Sequence, residues 1–242
     1  MRVALYGTGR MGRAISEVCA QRGHQVVLTV NTGNAGAPPA GADVAIEFSL
    51  PDTAMANMQL CLQHRVPVVV GTTGWYDHLP KMKAMVAATK GSLLWASNFS
   101  IGVNLFFRLN RDLAVLMDPQ TNYHVQVDEV HHAHKLDAPS GTAITLARDI
   151  DLATARYSGW ERGRADRGTG TIPVASERIG EVPGKHSVTW RSDEDRLTIT
   201  HEAFGRNGFA VGAVVAAEWL VAPGEQRVGL FTMDDVMNGR PR

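Results

Sequence analysis

Short apolar runs alternate with amphipathic stretches through the first part of the chain. Val3–Tyr6, Gln25–Val30, Val44–Phe48, Val66–Val70 and Leu93–Trp95 are predicted strands. Between them, Met11–Gln21, Thr53–His64 and His78–Ala88 place apolar residues at helical spacing. Gly23 behind the first of these helices and Pro51 at the head of the second are boundary residues of the expected kind. Strand–helix alternation of this sort predicts a parallel sheet covered on both faces. The stretch Asn31–Gly41, rich in Gly, Pro and Ala, has no period and is expected to replace a fuller helix with a short loop.

The pattern changes after Ile101. A helical stretch, Val103–Met117, leads into an alternating strand, Tyr123–Val130, and Pro139-Ser140 opens another helix with Ser140 at or beside its N-cap. From Thr171 the strand-like runs Ile172–Arg178, His186–Trp190 and Arg196–Ala203 follow one another, which predicts an antiparallel or mixed sheet. Phe209–Leu220 reads as a helix returning to the first domain, and the polar segment Gly159–Gly170 as a mobile connection. The expected fold is α/β: an N-terminal parallel-sheet domain (residues 1–103 and 212–242) and a second α+β domain on a mixed sheet (residues 104–211).

Composition narrows the function. Lys+Arg 24 balance Asp+Glu 24 for a formal net charge of zero, and no basic run favours nucleic acid. The apolar runs are shorter than the roughly 20 residues that span a bilayer, and Met1–Tyr6 runs straight into a glycine loop. A cytoplasmic protein is expected, with Cys19 and Cys61 as buried free thiols.

Two motifs carry chemistry. Gly7-Thr8-Gly9-Arg10-Met11-Gly12 matches G-x-G-x-x-G between a predicted strand and helix, the setting in which it marks a Rossmann-type dinucleotide site. Its glycines permit a tight turn, close approach to a pyrophosphate and close helix–strand packing. Asn31 stands where an acidic residue normally holds the ribose, about 20 residues after the loop. It leaves NADH and NADPH both open, with Arg10 and Arg13 as nearby charge. The second motif, Glu129-Val-His-His-Ala-His-Lys-Leu-Asp-Ala-Pro-Ser-Gly-Thr142, concentrates three of the nine histidines, a lysine and a Ser-Gly-Thr turn. A solvated polar loop and a metal site are alternatives, but adjacent histidines point apart and form no zinc pattern. A proton-donating, anion-binding site accounts for more of the residues: a histidine titrates near neutrality, and a helix N-terminus at Ser140–Thr142 binds carboxylate. Hydride donor and acid together describe a reductase of a small anion.

The second motif resembles the signature of the 4-hydroxy-tetrahydrodipicolinate (dihydrodipicolinate) reductase family. Similar blocks follow in the family's order: Gly9–Gly12, Glu47–Ser49, Val70–Gly74, Ser97–Asn104, Arg178–His186, Thr200-His201 with Arg206, and Gly229–Val236. The resemblance implies reduction of a cyclic imine dicarboxylate by NAD(P)H and a homotetramer built through the second domain's sheet. It implies His131 as proton donor/acceptor, Lys135 as second proton donor, and His132, Gly141 and Thr142 as substrate-binding, with Ser140 in the same turn. It also implies that Gly71, Thr72, Thr73 and Ala96, Ser97, Asn98, Phe99 line the nicotinamide end. His134 gets no separate role, and Arg206 either lies near the substrate or makes a surface ion pair. Three departures stand out: a glycine loop one residue shorter than in many members, Asn31-Thr32 in place of a Glu-Arg pair, and compact stretches at Asn31–Gly41 and after Ile150. Another imino- or amino-acid reductase, and a non-catalytic nucleotide-sensing relative, are the alternatives.

Overall fold

The computed structural model describes residues 1–164, 170–225 and 227–238. The chain divides into two compact units, Met1–Asn104 together with the chain from Arg206 onward, and Leu105–Gly205. The return to the first unit therefore falls at Arg206 rather than at residue 212, because Asn207–Leu220 is one uninterrupted helix.

In the first unit, β1 (Arg2–Tyr6), β2 (Gln25–Val30), β3 (Val44–Glu47), β4 (Val68–Val70), β5 (Ser92–Trp95) and a late strand, β11 (Gly229–Phe231), form a six-stranded sheet. Its order is β11-β5-β4-β3-β1-β2, and every pairing is parallel. Alternate strand residues face opposite sides, as the two-residue period requires. Val3, Leu5 and Ile46 pack with α1 (Arg10–Gln21) and α6 (Asn207–Leu220), while Ala4, Tyr6 and Ala45 pack with α2 (Pro51–Gln63) and α3 (Leu79–Thr89). Cys19 and Cys61 are free and buried, one on each side. The expected helices form within a residue or two of their predicted bounds, and Asn31–Gly41 holds only a short 3₁₀ turn, Thr32–Asn34. The strand Gly229–Phe231 and the helix α7 (Met233–Asn238) were not legible as elements because each is so short.

The second unit holds β6 (His124–His131), β7 (Trp160–Arg162), β8 (Ile172–Arg178), β9 (Lys185–Arg191) and β10 (Arg196–Glu202), in the order β10-β9-β6-β8-β7. β10, β9 and β6 are antiparallel neighbours, whereas β6, β8 and β7 run parallel, so the sheet is mixed. Val125, Val127, Val174, Val188 and Trp190 pack beneath α5 (Gly141–Ala153) and residues Phe106, Ala114 and Met117 of α4 (Ile101–Met117). Part of the segment expected to be mobile is the strand Trp160–Arg162; residues 165–169 lie outside the described residues. No described helix is long and apolar enough to cross a membrane.

Candidate active site

The glycine loop sits at the carboxyl end of β1, where strand order reverses between β1 and its neighbours β2 and β3. Open α/β sheets bind ligands at such a switch point. Gly9 caps α1 without any side-chain hydrogen bond, leaving the helix N-terminus to an outside acceptor. A Cβ on Gly12 would fall 2.0 Å from the Gly7 carbonyl oxygen, whereas one on Gly9 would meet nothing within 4 Å. The loop is thus closed toward the protein and open toward a ligand. Beside it lies a cleft of about 370 Å³ lined by Gly7, Thr8, Gly9, Asn31, Phe48 and Asn57 among others. Neither an acid nor a base is among its lining residues. These observations fit a dinucleotide, with Gly7–Gly12 for the pyrophosphate and the cleft for the adenosine half.

Asn31 is already engaged. Its side-chain oxygen accepts the Gly33 N–H at 2.8 Å, and its own N–H donates to Asn34 Oδ1 at 2.8 Å. One acceptor site of the Asn31 side-chain oxygen is therefore used inside the turn. Arg10 and Arg13 are exposed on the first turn of α1. Gly71 packs against Phe48, where a Cβ would stand 2.1 Å from the ring. The Thr72 hydroxyl is buried without a partner among the described residues, and Thr73 is exposed. In the other segment expected at the nicotinamide end, Asn98 Oδ1 accepts the Ser100 N–H at 2.9 Å, Phe99 is buried, and Ala96 and Ser97 remain accessible. Phe48 and Phe99 meet at 5.6 Å between ring centroids, so these two segments share one apolar wall. Glu47, buried at the end of β3, accepts from the Ser49 N–H at 3.1 Å, the Ser49 hydroxyl and Asn57. A carboxylate ending a strand carries no signature in the sequence, so Glu47 is visible only in the structure.

In the second unit the sheet register assembles the other site. Glu129 lies opposite His186 on β9 and Ser176 on β8, and His131 lies opposite Arg178. Glu129 is buried, with Oε1 accepting from Arg178 at 3.0 Å and from the Ser140 N–H at 3.1 Å. Its other oxygen forms an ion pair with His131 Nδ1. Burial alone would raise the Glu129 pKa, but contacts from His131, Ser176 and Arg178 hold it well below the carboxylate range. His131 is buried, its ring meeting that of His186 edge-on at 4.9 Å.

Lys135 Nζ donates to both oxygens of Asp137, at 2.7 and 2.9 Å, and this lowers the Asp137 pKa. Ser140 is the N-cap of α5, its hydroxyl accepting the Ala143 N–H at 3.2 Å. Gly141 is exposed and Thr142 half-buried on the first turn. His132 is half-buried with Nδ1 unpartnered among the described residues, while His134 is exposed and near Glu181 at 3.4 Å. Arg206 is the N-cap residue of α6, exposed and without an ion pair among the described residues.

The structure thus brings His131, Ser140 and the head of α5 together around Glu129, and leaves His134 outside. Three residues given no role join them: Glu129, Arg178 and His186. Glu129, His131 and His186 place ligand-type atoms within 4.8 Å of one another. The partners of Glu129 and the bond from His186 to Ser140 occupy much of that donor set, so a metal would have to displace them.

A Rossmann-type sheet with an open glycine loop, and a buried acid–histidine pair beside a helix N-terminus, define an NAD(P)-dependent oxidoreductase. Residues 1–99 match the family model for the dihydrodipicolinate reductase N-terminus and residues 102–237 that for its C-terminus. The chain belongs to the dihydrodipicolinate reductase family. It is 44% identical over 240 residues to 4-hydroxy-tetrahydrodipicolinate reductase of Christiangramia forsetii, covering 98% of each chain. The Neisseria meningitidis enzyme of the same name is 36% identical over 204 residues, 82% of this chain and 73% of that one. The dipicolinate-bound dihydrodipicolinate reductase of Paenisporosarcina sp. TG-14 has the same fold, with a TM-score of 0.74 at 22% identity over 96% and 97% of the two chains.

Proposed function

We propose that this protein reduces 4-hydroxy-tetrahydrodipicolinate to tetrahydrodipicolinate, with loss of water, in the diaminopimelate route to lysine. The observation that carries the reading is the ion pair between buried Glu129 and His131 beside the N-terminus of α5. Bound nicotinamide supplies the hydride. The chain's own residues handle protons and the substrate's carboxylates. His131, oriented through Nδ1 by Glu129, is the proton donor. Lys135 is the second, reached through its pairing with Asp137. His132 and the first turn of α5, Ser140–Thr142, hold a carboxylate, where N–H groups and the helix dipole favour an anion. That a structural relative is described as dipicolinate-bound supports a planar dicarboxylate.

Both nucleotides serve in this reading. The adenosine cleft offers no carboxylate to repel a 2′-phosphate and no cation to demand one. The assembly is a homotetramer formed through the second unit's sheet. The face opposite α5 carries Gln126, Asp128, Ser187, Thr189, Thr198 and Thr200, with Ser187 bonded to Thr200 at 2.9 Å and Thr189 to Thr198 at 3.1 Å. The buried free thiols fit a reducing cytoplasm.

The test is NADH oxidation with freshly generated hydroxy-tetrahydrodipicolinate, followed by absorbance. Activity is expected with either nucleotide; none with both would overturn the reading. His131→Gln and Lys135→Ala should each lower turnover roughly a hundredfold or more while retaining nucleotide affinity. Near-normal turnover in both would remove their assigned roles.

A further inference from the structure

We infer that His186 is a positioning residue that makes the Ser140 hydroxyl a hydrogen-bond donor to the carboxylate held at the head of α5. The inference rests on the substrate reading above and adds to it a residue that no motif assigns.

His186 and Ser140 are both buried, at 5% and 3% exposure, and His186 Nε2 lies 3.0 Å from Ser140 Oγ. Register places His186 beside Glu129 on the central strand, so the sheet itself brings the imidazole under the helix cap. His186 Nδ1 is buried and has no hydrogen-bond partner among the described residues. Burial and the neighbouring charge of His131 push the His186 pKa down to about 3, so the ring is neutral at working pH.

A neutral imidazole has one N–H and one bare nitrogen. Were the proton on Nδ1, a donor would be buried with nothing to receive it, and Nε2 would take the Ser140 hydroxyl hydrogen. With the proton on Nε2, the donor has a partner and only an acceptor goes unmet, the more tolerable of the two. Ser140 Oγ already accepts the Ala143 N–H at 3.2 Å. Accepting also from His186 fills both of its lone pairs. Its single hydrogen must then point away from both, and it joins the N–H groups of the first turn as a donor. The same ring buttresses His131 edge-on at 4.9 Å and 72°, which ties carboxylate binding to the proton donor's orientation.

The experiment titrates dipicolinate into the NADH-bound protein by calorimetry. Ser140→Ala and His186→Phe should each weaken binding roughly tenfold or more, the range for a hydrogen bond to a charged group. Because they remove one device, the double variant should lose no more than the worse single one. His186→Gln, which returns an N–H near Ser140, should recover most of the affinity, and in turnover the rise in KM should exceed the fall in kcat. Additive losses, or Gln no better than Phe, would overturn the assignment. A direct check needs no variant: ¹⁵N shifts of His186 should report Nε2–H, and an Nδ1–H ring overturns the inference even if His186→Phe does not fold. Absence of dipicolinate binding by the unaltered protein would instead strike the substrate reading, and this one with it.

Discussion

Glu129 shows how much one buried side chain organises. It has no exposed side-chain surface, and its oxygens divide between Arg178 with the Ser140 N–H on one side and His131 on the other. Glutamine in its place keeps the shape and an acceptor for Arg178 but withdraws the charge facing His131. Glu129→Gln should lower kcat roughly a hundredfold, within the range for an impaired general acid; a kcat within a few-fold of the original would detach Glu129 from the chemistry. Asn31 is the matching residue for the nucleotide. Its side chain is uncharged and caps the turn at Gly33, so it neither repels a phosphate nor excludes a ribose hydroxyl. Asn31→Glu should raise the KM for NADPH roughly tenfold or more over that for NADH, through repulsion of the 2′-phosphate. Equal changes in the two constants would show that position 31 does not read the ribose.

The elements were legible where a period could run. The alternation of β6 and the helical spacing of α1 through α3 required only local sequence, and the Ser140 N-cap followed from its place before an apolar run. What escaped was set by pairing. Arg178 and His186 stood in similar-looking blocks, but only the register of β6 with β8 and β9 puts them beside Glu129 and His131, and register is not written in either strand alone. The α6 helix is a second case. Its Gly212 lies against the Phe99 carbonyl so closely that a Cβ would stand 1.7 Å from that oxygen. The helix carries the apolar face Ala213, Val214 and Ala217 into the sheet, and Gly212 allows the approach. Gly212→Ala should therefore lower stability by about 1–3 kcal/mol through overpacking, despite alanine's better helix propensity. Chemical denaturation would measure it, and a neutral or stabilising result would mean that α6 and Phe99 separate at no cost.

At the scale of the whole molecule, the buried site ties stability to pH. His186 is held neutral, its pKa moved from the ordinary 6.5 to about 3, by burial first and then by the charge of His131. His201 shifts in the same direction through burial. As pH falls through 6.5 the unfolded chain gains a proton at His186 that the folded chain refuses until about pH 3. Across that window the unfolded state binds more protons, so folding weakens as pH falls, by up to about 1.4 kcal/mol per pH unit for one such group. The carboxylates add a separate loss further down. Glu129, Asp137 and Glu218 have pKa values lowered by their partners, so their contribution is complete above the ordinary carboxylate range and disappears as acid protonates them. The acid limb should thus have two parts, a histidine part beginning near pH 6.5 and a carboxylate part below it. His186→Gln removes the His186 share of the first part, leaves that of His201, and spares the second. Urea midpoints of the variant should fall less steeply than those of the parent from pH 6.5 down to about pH 3, and the two curves should run parallel in stronger acid. Parallel curves throughout would mean that His186 takes up its proton in the folded state as easily as in the unfolded one, and the neutral ring on which the Ser140 donor depends would be lost with it.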